Sequence, residues 1–122
     1  MFAERWDTGL VAKDAQHPDL EGIELTTVLS ALADPVCLGL VRLLSDGVER
    51  QWGELDAPVA KSTLSHHLKV LRSAGVTRTR EEGTRCYVRL RSDELDDRFP
   101  GLLSSLLAVD GHGATPIGIK GA

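Results

Sequence analysis

At 122 residues the chain has room for one domain with a small core. It is 42% hydrophobic and 26% charged, as ordinary globular proteins are, and with 4% aromatic residues its core must be built from Leu, Val and Ala. No apolar run approaches the ~18 residues that a membrane span needs. The start, Met1-Phe2-Ala3-Glu4-Arg5, carries charge where a signal peptide needs an apolar stretch, so a cytoplasmic protein with no membrane partner is expected.

The net charge of −4 conceals a division. From Lys61 to Arg91 there are eight bases and two acids, a balance of +6; the rest of the chain has six bases and sixteen acids, −10. An acidic body with one basic segment suits a polyanionic partner at that segment.

In chain order, residues 1–17 read as an N-terminal arm without clear periodicity. A helix is predicted from His17-Pro18-Asp19, with Leu20, Ile23, Thr27, Val28, Ala31 and Leu32 at three- and four-residue steps. Asp34-Pro35 ends it and starts a second helix, Asp34 as cap and Pro35 at the first helical position. Gly47 closes that helix, and Val48 to Trp52 reads as a short strand. Gly53 to Asp56 reads as one helical turn, which Ala57-Pro58 ends.

The strongest helix spans about Lys61 to Ala74, with Leu64, Leu68 and Leu71 on one face and Gly75 behind it. Val76–Glu82 and Cys86–Leu90 form a hairpin about Gly83, with basic residues on both strands. Ser92 is predicted to cap a last helix, interrupted by Pro100 and continued by the ridge Leu102, Leu103, Leu106 and Leu107. The tail 110–122 is glycine-rich and predicted to be flexible, so the folded domain is expected over 18–109.

A helix that buries Leu64, Leu68 and Leu71 turns Ser62, Thr63, Ser65, His66, Lys69 and Arg72 to solvent. Between Lys61 and Ala74 there is no acid. Small donors without carboxylates suit a DNA major groove, whose phosphates repel acids. Arg78, Arg80 and Arg85, close to the hairpin turn, extend the same surface toward backbone or minor groove.

Residues about 25–107 resemble the bacterial ArsR/SmtB-type winged-helix repressors. The resemblance is carried by Leu32-Ala-Asp-Pro35, Gly53-Glu-Leu55, Ser62-Thr-Leu-Ser-His-His-Leu-Lys-Val-Leu-Arg72, Ala74-Gly-Val76 and Glu82-Gly-Thr-Arg85. It implies an α+β, mainly α fold: a winged helix-turn-helix with a two-stranded β wing, dimerising through its first and last helices. It also implies a sequence-specific regulator, a repressor on an inverted-repeat operator in double-stranded DNA, released by a signal.

Carried over by position, Ser62, Thr63, Ser65 and His66 would face base edges. Lys61, Lys69, Arg72, Arg78, Arg80 and Arg85 would complete the DNA-binding set, and His67 would be partly buried and structural. Ala60 stands where the family usually has a capping Ser, so Ser62 would take over capping.

Relatives that sense metal use a Cys-x-Cys-type pair before the recognition helix, or His ligands on the last helix. Here Trp52–Ala60 has neither Cys nor His, and residues 92–109 have no His, so neither a metal site nor a cofactor is expected. Cys37 occupies a position where the family commonly has Arg. A thiol at a helix N-terminus is acidified, which makes Cys37 the candidate redox sensor; a small-molecule effector is the other candidate. Leu20 and Ile23, with Leu102, Leu103, Leu106 and Leu107, exceed what one small core hides and are expected at a homodimer interface.

The competing reading is a winged-helix module for protein contact without sequence-specific DNA binding. An enzyme is not expected: Ser65 and His66, adjacent on a helix, do not face each other.

Overall fold

The computed structural model describes residues 17–121, so most of the expected N-terminal arm lies outside the described residues. A 3-10 turn at Leu20–Gly22, capped by the Asp19 carboxylate on the Glu21 N–H, precedes α1 (Leu25–Leu32). The single helix predicted from residue 18 is therefore split. Ile23 and Glu24 are extended, with ψ of 129° and 148°. A distant residue braces this break: Arg98 donates to the carbonyls of Leu20 and Ile23 at 3.1 Å each, while the Leu20 carbonyl also closes the 3-10 turn by accepting the Ile23 N–H.

α2 (Pro35–Leu43) begins as predicted. Asp34 Oδ1 accepts from the N–H groups of Val36 at 2.8 Å and Cys37 at 3.1 Å, and Pro35 is in the first turn. A 3-10 turn and Gly47 at φ 77° close it.

β1 (Arg50–Gln51) leads through a 3-10 turn at Trp52–Glu54 to β2 (Leu55–Asp56), and α3 (Lys61–Ser73) follows. α3 ends at Gly75, whose φ of 81° suits glycine and where a Cβ would collide with the Leu20 side chain. The hairpin β3 (Thr77–Glu82) and β4 (Arg85–Leu90) turns at Gly83, φ 63°, in the register Thr77↔Leu90 to Glu82↔Arg85. β1 pairs with the far side of β4, so the wing belongs to a three-stranded antiparallel sheet, β1-β4-β3, rather than a two-stranded one.

α4 (Ser92–Arg98) and α5 (Leu102–Ala108) are separated at Phe99–Gly101. Ser92 is the first residue of α4, not its cap. At the preceding position the buried Arg91 is clamped by both Glu94 oxygens at 2.9 Å and donates to the Pro18 carbonyl.

The core gathers Val28 and Leu32 from α1, Leu40 and Val41 from α2, Leu68 and Leu71 from α3, and Val76, Val88 and Leu90 around the sheet. Leu20 and Leu103, expected at a dimer interface, are buried within this single chain. Ile23, Leu102, Leu106 and Leu107 are only partly buried against the core. Among the described residues no single helix is long and apolar enough to cross a membrane.

The glycine-rich tail departs from its expected flexibility. β5 (Gly118–Ile119) pairs antiparallel with β2, the Thr115 N–H donates to the Pro35 carbonyl at 3.0 Å, and the Lys120 N–H donates to Glu54 at 2.7 Å. Gly39 permits this approach, because a Cβ there would strike the Thr115 carbonyl. Composition predicted freedom; the unpaired edge of β2 and a bare backbone on α2 supply partners that composition cannot show.

Candidate nucleic-acid interface

α3 is amphipathic in the manner its leucines predict. Leu64, Leu68 and Leu71 are buried, while Lys61, Ser62, Thr63, His66, Lys69 and Ser73 are exposed and Ser65 and Arg72 half-buried. Ala60 is the N-cap and makes no side-chain hydrogen bond; no side chain takes over the cap, so Ser62 stays on the outer face. Among the described residues none bonds the first-turn N–H groups, which carry the positive end of the helix dipole beside Lys61.

The hairpin continues this surface. Thr77, Thr79 and Val88 face the core, which puts Arg78, Arg80, Tyr87 and Arg89 on the opposite face of the sheet. Arg85 lies exposed beside the turn. Lys69 comes near the wing at the Cys86–Glu81 pair, on the face of Thr79 and Val88 rather than that of the arginines; burial and Glu81 outweigh it and push the Cys86 thiol up. The wing carries the exposed Arg85 beside the exposed Glu81 and Glu82, so the face without acids is that of α3.

Not every predicted arginine is available on it. Arg80 is 5% exposed. Its Nε and Nη2 donate to Glu49 at 2.7 and 2.9 Å, Glu82 takes Nη1, and the guanidinium stacks 4.4 Å from the Tyr87 ring centre. The bond to Glu49, reinforced by Glu82, raises its pKa above the ordinary arginine value. The DNA-contact assignment of Arg80 is therefore corrected: it is a structural cation that ties the wing to the Glu49 segment. Glu49 is 31 residues away in sequence, which is why spacing did not reveal the pair. Arg78 is half-buried, with Glu94 at 3.8 Å.

His17 sits where β3 forms a sheet edge. Its Nε2 accepts the Thr79 N–H at 2.8 Å. Burial, aided by Arg78, Arg91 and Arg72, pushes its pKa down to about 4, so the ring is neutral at physiological pH.

Cys37 does not have the chemistry expected of it. The sulfur is fully buried, and burial, then the Asp34 charge, pushes the thiol up to about 12. The helix N-terminus that should acidify it is already neutralised by the Asp34 cap, which removes the basis for a redox sensor at Cys37. What surrounds it was not legible in the sequence. The ligand atoms of Asp34, Cys37 and His67, from two helices, lie within 4.8 Å of one another.

A further residue escaped the sequence reading. Lys120, placed by β5, lines a cleft with Trp52, Lys61 and Ser65 at the start of α3. Its only signal in the sequence is a lone base in a glycine-rich tail.

Residues 32–80 match the family model of a helix-turn-helix domain. The chain is 38% identical over 82 residues to the HTH-type transcriptional regulator YceK of Bacillus subtilis, a match covering 65% of this chain and 82% of that protein. It is 40% identical over 88 residues to the biofilm growth-associated repressor of Agrobacterium fabrum, covering 70% and 71%.

Proposed function

The chain belongs to the helix-turn-helix transcriptional regulators, and we propose that within them it is an ArsR/SmtB-type winged-helix repressor that binds an inverted-repeat operator as a homodimer. One observation carries this reading: the leucine-anchored α3 presents an outer face without acids beside a basic wing. The name of the Agrobacterium relative supports the negative sign of regulation.

In this reading α3 enters the major groove. Ser62, Thr63, Ser65 and His66 address base edges, and Lys61, Lys69 and Arg72 address phosphates. Arg85 at the wing tip, with Arg78 behind it, reaches the neighbouring backbone or minor groove, and Lys120 adds a phosphate contact at the helix start. The folded unit is residues 18–109 with the tail strapped onto it.

The dimer face would lie on α1 and α5, whose Val28, Leu32, Leu102 and Leu103 line one small apolar cavity. Leu25 and Leu29 are 44% and 42% exposed on α1, and Leu106 and Leu107 are half-buried on α5. A two-fold contact there would cover all four and give two reading helices for an operator with two half-sites.

The test is a selection from random duplexes with the full chain, followed by binding titrations at several salt concentrations. Recovery of an inverted repeat is expected, with affinity falling about a thousandfold or more between 50 and 200 mM salt if the dimer neutralises six or more phosphates. Lys69→Ala should weaken all sequences alike, whereas Ser65→Ala or His66→Ala should change preference. No enriched sequence, or binding indifferent to salt, refutes the reading.

A further inference from the structure

We propose that Asp34, Cys37 and His67 form a zinc-binding site joining the N-terminus of α2 to the recognition helix α3. The three ligand atoms, one sulfur, one imidazole nitrogen and one carboxylate oxygen, lie within 4.8 Å of one another. They line an open cleft of about 710 Å³ between α1, α2 and α3, whose wall also carries His66 and Lys69.

The hydrogen bonding of His67 is what points to a cation. Its Nδ1 lies 2.8 Å from the Thr63 carbonyl oxygen, which can only accept, so Nδ1 carries a proton. In a neutral ring Nε2 then has a bare lone pair. That lone pair faces the Asp34 carboxylate, 3.2 Å from each oxygen, and a carboxylate is also only an acceptor. The pair therefore needs a positive charge between ring and carboxylate, either a second ring proton or a metal ion, and the Cys37 sulfur beside it is a donor that only the metal would use. A backbone carbonyl that fixes Nδ1–H and leaves Nε2 free is the usual support of a metal-binding histidine.

Cys37 adds the third ligand. Its sulfur is buried on the floor of the cleft, 3.8 Å from the His67 carbonyl. Asp34 is held in place because Oδ1 accepts two backbone N–H groups.

One sulfur, one nitrogen and one oxygen are the donors zinc takes, at about 2.0–2.3 Å, in tetrahedral sites with three protein ligands and one open position. Reaching that geometry requires the sulfur to move in by up to about 1 Å, with the open cleft supplying the fourth position to water. On coordination the Cys37 thiol proton passes to solvent and the thiolate bonds the metal. The site does not depend on the DNA-binding reading.

The test uses the full chain, stripped of metal, titrated with Co²⁺ and then Zn²⁺, without DNA. One equivalent of Co²⁺ should give a thiolate-to-cobalt charge-transfer band that Zn²⁺ abolishes. Cys37→Ser should eliminate the band, and Cys86→Ser should retain it. Asp34→Asn and His67→Gln should each weaken Zn²⁺ affinity by at least about tenfold, and they keep the inference testable if Cys37→Ser does not fold. Absence of the band in the parent chain overturns the site. So does a band that survives in Cys37→Ser, and so does unchanged affinity in both Asp34→Asn and His67→Gln; an imidazolium–carboxylate pair would then account for the geometry.

Discussion

Replacing Arg80 by Ala separates a structural from a DNA-contacting arginine. The substitution leaves Glu49, 15% exposed, without the partner of two hydrogen bonds. Removing one member of a fully buried pair costs about 3–5 kcal/mol, and hydrogen bonds to charged groups are worth about 1.5–3 kcal/mol each. Glu49 retains some access to water, which lowers the first figure. The Glu82 contact, 48% exposed on the acid side, adds at most about 1 kcal/mol. Stacking on Tyr87 adds ~0.5–1 kcal/mol.

About 3 kcal/mol is therefore expected in total. With a urea slope of ~1.5 kcal/mol/M for a domain of this size, the unfolding midpoint should fall by about 2 M at constant slope. Glu49→Gln should lose about half as much, and the double variant should lose less than the sum of the two. Operator affinity measured where Arg80→Ala is still folded should stay within about threefold of the parent, whereas Lys69→Ala should lose roughly tenfold or more. An Arg80→Ala protein with an unchanged midpoint and lost DNA binding would refute the internal assignment.

Cys37 in the metal-free native chain should resist iodoacetamide at pH 8 and react only on unfolding, while the half-buried Cys86 reacts sooner; mass spectrometry of the labelled peptides reads the order, and prompt native labelling of Cys37 contradicts its burial. His17 should titrate near pH 4 by NMR. Because its folded pKa is depressed below the ordinary 6.5, the unfolded chain binds the proton first, so this contribution is complete above about pH 6.5 and is lost as the pH falls toward 4. His17→Ala should flatten the stability profile in that window. Gly39→Ala should push Thr115 off α2, seen as faster amide exchange at Thr115 and Lys120 with the core amides unchanged; unaltered exchange at both would contradict the strap.

The features legible in the sequence share one property: both partners lie within a few residues. The Asp34 cap and Pro35, the Leu64–Leu68–Leu71 stripe, the Gly47 and Gly75 stops, and the hairpin about Gly83 are set by backbone geometry and by periods of 3.6 and 2. Because α3 buries those leucines, its outer face followed from composition alone, and with it the proposed DNA surface.

What only the tertiary structure decided involves partners distant along the chain. Arg98 binds carbonyls 78 and 75 residues earlier at the break before α1, and Glu49 withdraws Arg80 from the surface. The tail finds an unpaired strand edge, and Asp34 and His67 meet across 33 residues beside a thiol that helix position alone would have made reactive. In each case a charge or an unpaired backbone group is satisfied by whichever complement the packing brings within ~3 Å. One-dimensional spacing carries no information about that complement, because it is the burial of the leucine core that sets which distant segments touch.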